Sequence, residues 1–185
     1  MSGNGWTSTS MPYVSPRAAG DTDAWTEEAR AGGRRGGQRI LYAGEAGAPP
    51  EVARMLGLAD GEPVVVRRRL IELDGEPTEL TDTYYPAVIA AGTPLARTAK
   101  IRGGAVTLLA SLGHVGARVV ENVTAHMPDD DDREQLHLGA AEPVLKLART
   151  TYDASNRPIQ ADLVLMPGGR QQLRYEIRLS SSQPE

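Results

Sequence analysis

Two long stretches of this chain alternate their side chains with a period of two, and each is broken in the middle by a turn signal. On residues 64–73, Val65, Arg67, Arg69, Ile71 and Leu73 share one face of an extended strand. Val64, Val66, Arg68, Leu70 and Glu72 share the other. Asp74-Gly75 follows, a strong hairpin signal, and residues 77–85 return as a second strand. Residues 144–152 and 159–166 repeat the arrangement around the turn at 153–158. Further strands are expected at 38–46, 115–127 and 171–179. Helical spacing predicts helices near 23–30, 50–56, 105–112 and 128–138. Their ends are marked by Gly32-Gly33, Gly57 and Gly113, and by Pro50 at a start.

The two stretches are copies of one unit. Glu62-Pro63 falls on Glu142-Pro143 and Arg69 on Arg149, an offset of 80 residues. One inserted residue in the second turn makes it 81, so that Glu79 answers Gln160. Two copies cannot stack as a solenoid, but they can share one sheet. The expected class is therefore α+β: a predominantly antiparallel six-stranded sheet with helices packed on one face. Residues 1–23, rich in Ser, Thr, Gly and Pro, are expected to be a flexible arm. Residues 24–179 form the domain and 180–185 a polar tail.

Composition narrows the function. With no Phe, the core must come from Val, Leu, Ile and Ala, anchored by a few Tyr and Trp. A net charge of −4 provides no basic footprint for nucleic acid, so direct nucleic-acid binding by this chain is not expected. The 185 residues contain no Cys, no signal peptide and no apolar run of membrane-spanning length. A cytoplasmic protein with no membrane association is the resulting expectation. His114, His126 and His137 do not make a ligand set, and Asp129 to Asp132 read as the solvated start of a helix, so no metal site is expected. Neither a nucleophile elbow nor a phosphate loop is present, and no cofactor is expected.

The strand from Pro63 to Arg69, the turn Asp74-Gly75-Glu76-Pro77 and the triplet Tyr84-Tyr85-Pro86 come in a fixed order with three later segments. These are the helix at 105–112, the strand at 118–125 and the run Pro143-Val144-Leu145 to Tyr152. Together they resemble the UTRA domain, the effector-binding domain of GntR/HutC-type bacterial transcription regulators, which has a chorismate lyase-like fold. The resemblance covers about residues 23–179. Such regulators carry an N-terminal winged helix-turn-helix. Residues 1–22 show no such pattern, so the chain is expected to lack a DNA-binding part of its own.

Two arginines among apolar residues on one strand face need partners. Arg67 and Arg69 either pair with Glu79, Glu121 or Asp82, or form a guanidinium fork for a ligand anion. The resemblance implies the second, because matching arginines in sugar-phosphate-responsive members hold the anionic group. It also places Trp25, Thr26 and Gly104 at helix starts beside that anion. Trp25 could instead cover the core and Thr26 cap a helix. Acidic positions of the family fall on Thr81 and Gln160, and a Tyr position on Met166. With that departure, a less polar organic acid or a polyketide-like metabolite fits the pocket at least as well as a sugar phosphate. The expected ligand-binding set is Trp25, Thr26, Arg67, Arg69, Glu79, Thr81, Gly104, Gln160 and Met166. A small, anionic effector and a homodimer are the expected partners. The alternative is an enzyme of lyase or cyclase type on the same fold, with Arg69, Glu79 and Glu121 as its catalytic groups.

Overall fold

A computed structural model describes residues 6–16 and 24–176. The sheet has six strands in the order β2-β3-β4-β7-β6-β5, every neighbouring pair antiparallel. In chain order, β1 (Trp6–Ser8) and α1 (Met11–Val14) precede α2 (Ala24–Ala31), β2 (Gly36–Gly47), α3 (Pro50–Leu56), β3 (Pro63–Leu73) and β4 (Glu76–Pro86). The short α4 (Ala87–Ala90) and a 3-10 turn (Pro94–Ala96) link this half to the next. There follow α5 (Gly104–Ser111), β5 (Arg118–His126), α6 (Asp130–Gln135), β6 (Val144–Tyr152), β7 (Pro158–Pro167) and β8 (Gln171–Leu173).

The repeat extends further than its strand motifs. At the offset of 80, α2 falls on α5, β2 overlaps β5, and α3 falls on α6. Even the local bonds recur. Leu58 N–H donates to the Ala53 carbonyl and Leu138 N–H to the Arg133 carbonyl, each at 2.9 Å. Glu62 accepts from Ala59 N–H at 2.9 Å, and Glu142 from Gly139 N–H at 3.2 Å. Both helices stop at a left-handed residue, Gly57 (φ 66°) in the first copy and His137 (φ 51°) in the second. The copies meet at the centre, where β4 pairs with β7 and Asp82 lies opposite Leu163. Those two residues correspond at the offset of 81, so a pseudo-twofold axis passes between them.

The helices, expected on one face, divide between both. On one side α3 packs Val52, Ala53 and Leu56 against Val64, Val66, Tyr84 and Ala161. Leu136, at the end of α6, covers Leu70, Leu80 and Val144 on the same side. On the other side α2 places Trp25 and Ala29 on Ile71 and Leu73. Leu95 and Leu109, from the 3-10 turn and α5, cover Val65 and Tyr85. The physical reason lies in the central strands. Both faces of β3, β4 and β7 carry apolar residues, so each face needs its own cover.

Part of the expected flexible arm is docked. β1 pairs in parallel with β8, and the Trp6 ring meets Trp25 edge-on at 5.4 Å. Aromatic residues in a polar segment provide enough apolar area to hold it down. Strand β8 joins this small second sheet instead of the large one. The strand expected over 171–179 stops at Leu173: residues 174–176 are irregular, and residues 177–179 and the 180–185 tail lie outside the described residues.

Candidate functional site

The face carrying α2 and α5 does not fill completely. Between these helices, the docked N-terminal segment and strands β2, β3, β4, β7 and β6 lies a cavity of about 150 Å³. Strand alternation sets its floor. Arg67, Arg69 and Ile71 come from β3; Glu79, Thr81, Thr83 and Tyr85 from β4; Gln160, Asp162, Val164 and Met166 from β7; Leu147 and Arg149 from β6. Trp25 and Gly104 reach it from the starts of α2 and α5. Thus eight of the nine expected ligand-binding residues converge on one cavity. Thr26, one position further along α2, does not line it.

The expected arginine fork is divided between two tasks. Arg67 is buried, and its guanidinium donates to the carbonyls of Pro94 (3.3 Å), Leu95 (2.9 Å), Arg97 (2.5 Å) and Ala99 (3.1 Å). It anchors the loop that leads to α5, and burial pulls its pKa below the ordinary guanidinium value. None of the carboxylates considered from sequence is its partner. Arg69 is half-buried, and among the described residues its side chain has one hydrogen bond, Nη2 to the Thr83 hydroxyl at 3.2 Å. Its remaining donors are left to face the cavity.

Arg149, the second copy's counterpart of Arg69, is held by Glu121 at 2.6 Å and by the Ser10 hydroxyl at 3.3 Å. Burial works against its charge, but Asp162, Glu121 and Glu79 outweigh that and raise its pKa. Glu121 lies outside the cavity, in the groove beside the N-terminal segment. Burial pushes its carboxyl up, but Ser10, Arg149 and Tyr175 together hold it below the ordinary range. The trio required by the enzyme alternative is therefore not assembled: Arg69 and Glu79 share the cavity and Glu121 does not.

Three polar residues hold the two carboxylates, and one of them, Thr83, does so across the central strand pair. Thr83 donates to Asp162 at 2.8 Å, Gln160 donates to both oxygens of Asp162 at 2.9 and 3.1 Å, and Thr81 donates to Glu79. Glu79 lies half-buried in the cavity wall. Burial raises its pKa, and Arg69 and Arg149 offset this only in part.

Gly103 and Gly104 enter α5 with φ of 76° and 85°, a backbone that β-carbons disfavour, and a side chain here would stand at the cavity wall. Trp25 is fixed by its indole N–H donating to the Glu72 carbonyl at 3.0 Å. Asp162, Tyr85, Thr83 and Gln38 line the cavity without having been singled out from sequence, as do Ser10 and Tyr13 of the arm. The repeat held a signal for Asp162: it is the second copy's counterpart of Thr81.

Comparisons with known proteins agree with this architecture. The family described as UTRA domain matches residues 31–172. The HTH-type transcriptional regulator SCO4628 of Streptomyces coelicolor is 26% identical over 168 residues, covering 88% of this chain and 62% of that protein. The HTH-type transcriptional repressor PhnF of Mycolicibacterium smegmatis is 27% identical over 147 residues, covering 80% of this chain and 59% of the repressor. The chain thus spans about three-fifths of each relative. The crystal structure of the PhnF effector domain superposes with a TM-score of 0.72 and 26% identity, covering 89% of this chain and 98% of that domain. A GntR-family transcriptional regulator superposes with a TM-score of 0.80 over 95% of this chain and 71% of its own; at 21% identity that likeness shows the fold alone.

Proposed function

The chain belongs to the UTRA domain family, and on that premise we propose that it senses a small anionic metabolite in the cavity beneath α2 and α5. Arg69 is the anion anchor. The single observation that carries this is its isolation: of the three cavity arginines, Arg67 is held by four carbonyls and Arg149 by the Glu121 carboxylate and Ser10, whereas Arg69 has one hydroxyl as its hydrogen-bond partner among the described residues. Glu79, Thr81 and Gln160 add polar contacts to the ligand. Met166 and Trp25 supply apolar wall, and the glycine start at Gly104 permits close backbone approach. Arg67 serves the site indirectly, by fixing the loop that positions α5.

In this reading the domain spans residues 24–179, acts in the cytoplasm, pairs with a second copy and modulates transcription through a DNA-binding region. No helix among the described residues is long and apolar enough to cross a membrane.

The test is a thermal-shift and calorimetric panel of small organic acids and sugar phosphates. A ligand at a hundredfold its Kd stabilises the fold by about 2.7 kcal/mol, which is readily measured. Arg69→Ala abolishes the response while the protein stays folded. Silence across the panel, or an unchanged response in Arg69→Ala protein, overturns the assignment.

A further inference from the structure

We propose that the cavity takes a zwitterion: a short ligand whose anionic end meets Arg69 and whose ammonium end meets Glu79 and Asp162. The inference rests on the ligand-sensing reading above and adds the chemistry of the ligand's second end. It starts from which polar groups of the wall are already engaged. The cations other than Arg69 are engaged: Arg67 by loop carbonyls, Arg149 by Glu121 and Ser10, and Lys100 by an interaction of its own. The two cavity carboxylates accept their hydrogen bonds only from neutral groups, while Arg149, the cross-strand partner of Asp162, and Arg69 act on them at longer range. Asp162 accepts from the Thr83 hydroxyl and the Gln160 amide, and Glu79 accepts from the Thr81 hydroxyl. Neither is in an ion pair among the described residues.

A carboxylate offers about four acceptor sites. Asp162 has filled three and Glu79 one, so Glu79 is the open acceptor, and Asp162, opposite Thr83 and four residues further along β4, adds longer-range negative field. An ammonium carries three donors and no acceptor, which matches the open acceptor sites of the Glu79 carboxylate. A hydroxyl brings one donor and no charge. A carboxylate whose burial the neighbouring guanidiniums offset only in part is costly to keep charged, and a ligand cation in direct contact offsets that cost in a way a hydroxyl does not.

The sheet sets the ligand's length. Ile71 and Glu79 are direct partners, and Arg69 lies two residues along the same face, opposite Thr81. Arg69 and Glu79 are thus diagonal neighbours, about 7–8 Å apart at the backbone. Ile71, Val164 and Met166 line the same cavity, an apolar surface for a few methylenes. The cavity's volume of about 150 Å³ corresponds to roughly five waters, well below the ~300 Å³ at which drug-sized pockets begin. An ω-amino acid fits that outline.

Calorimetric titration of the full chain with three matched probes, 4-aminobutyrate, 4-hydroxybutyrate and butyrate, together with their homologues one carbon shorter and longer, tests the proposal. The amino probe of at least one length is expected to bind about tenfold tighter than its hydroxyl and methyl counterparts. In Glu79→Gln and Asp162→Asn proteins that preference shrinks to about threefold or less, and in Arg69→Ala protein all three probes lose affinity. Glu79→Gln removes a buried charge, so its folding is not at stake. If the hydroxyl or methyl probe equals the amino probe, or the preference survives both carboxylate changes, the zwitterion is wrong and the anion site stands. A response to the organic-acid panel with no amino probe binding likewise overturns the zwitterion and leaves the anion site in place. Failure of every probe and of the acid panel overturns both.

Discussion

The two copies of the repeat build the same scaffold and give its polar positions to different partners. In the first copy, Arg67 ties down the loop after β4 and Arg69 faces the cavity. In the second, Leu147 stands where the first has Arg67, and Arg149 is locked to Glu121 and the docked N-terminal segment. The acids have separated too. The first copy has an acid at Glu79 and a hydroxyl at Thr81; the second has an amide at Gln160 and an acid at Asp162. Scaffold features such as the helix ends and the Glu62 and Glu142 loop bonds stayed alike. Packing and backbone closure constrain both copies equally, whereas the proposed ligand would make unlike demands on the two.

The largest effect expected from breaking this contrast comes from making the first copy resemble the second. Arg67→Leu strips a common donor from four carbonyls and lowers stability by about 3–5 kcal/mol in urea denaturation; a loss under ~1 kcal/mol removes Arg67 as the loop anchor. In the second copy, Arg149→Leu strands Glu121 and costs about 3 kcal/mol. Most of that loss is recovered in the Arg149→Leu, Glu121→Gln double variant if the pair is what Arg149 maintains.

A smaller and pH-dependent effect is expected at Glu79. Burial raises its folded-state pKa above the ordinary carboxyl value of 4.5. Its contribution is therefore fully present below that value and is lost as pH rises through the folded pKa. Glu79→Gln should raise stability near neutral pH by up to about 1 kcal/mol, and leave it unchanged below about pH 4. A variant less stable at neutral pH would show that Arg69 and Arg149 outweigh burial. The smallest effect concerns the helix ends. His137→Gly gives the second copy the first copy's left-handed residue and should stabilise by about 0.5–1 kcal/mol, while Gly57→Ala destabilises by a similar amount. Equal and opposite shifts in thermal midpoint would show that the two ends are equivalent.

The strands were readable because period-two alternation and turn chemistry are local. The strand at 144–152 appears with the bounds read from sequence, and the first hairpin's strands differ from their expected ends by one residue. The division of helices between faces was not readable, since both faces of β3 and β4 carry apolar residues and either could take a helix. Arg67 illustrates the same limit at the site. Its charge demanded an acceptor, and carboxylates are the acceptors that a sequence displays. The carbonyls of residues 94–99 carry no side-chain signal, so its real partners were hidden. Asp162 was visible only through the repeat, and Ser10 and Tyr13 were masked by the polar segment around them.

The axis between Asp82 and Leu163 bears on how a ligand would lie. If the two copies were identical, anything bound on that axis would have two equivalent orientations, head to tail and tail to head, and the cavity could not distinguish them. Carrying both copies on one polypeptide lets each be mutated without altering the other. One open guanidinium on β3, with its counterpart on β6 closed, is enough to remove the degeneracy. On the proposed assignment the site has thereby acquired a sense of direction: a bound molecule would present one end to β3 and the other to the β4–β7 seam.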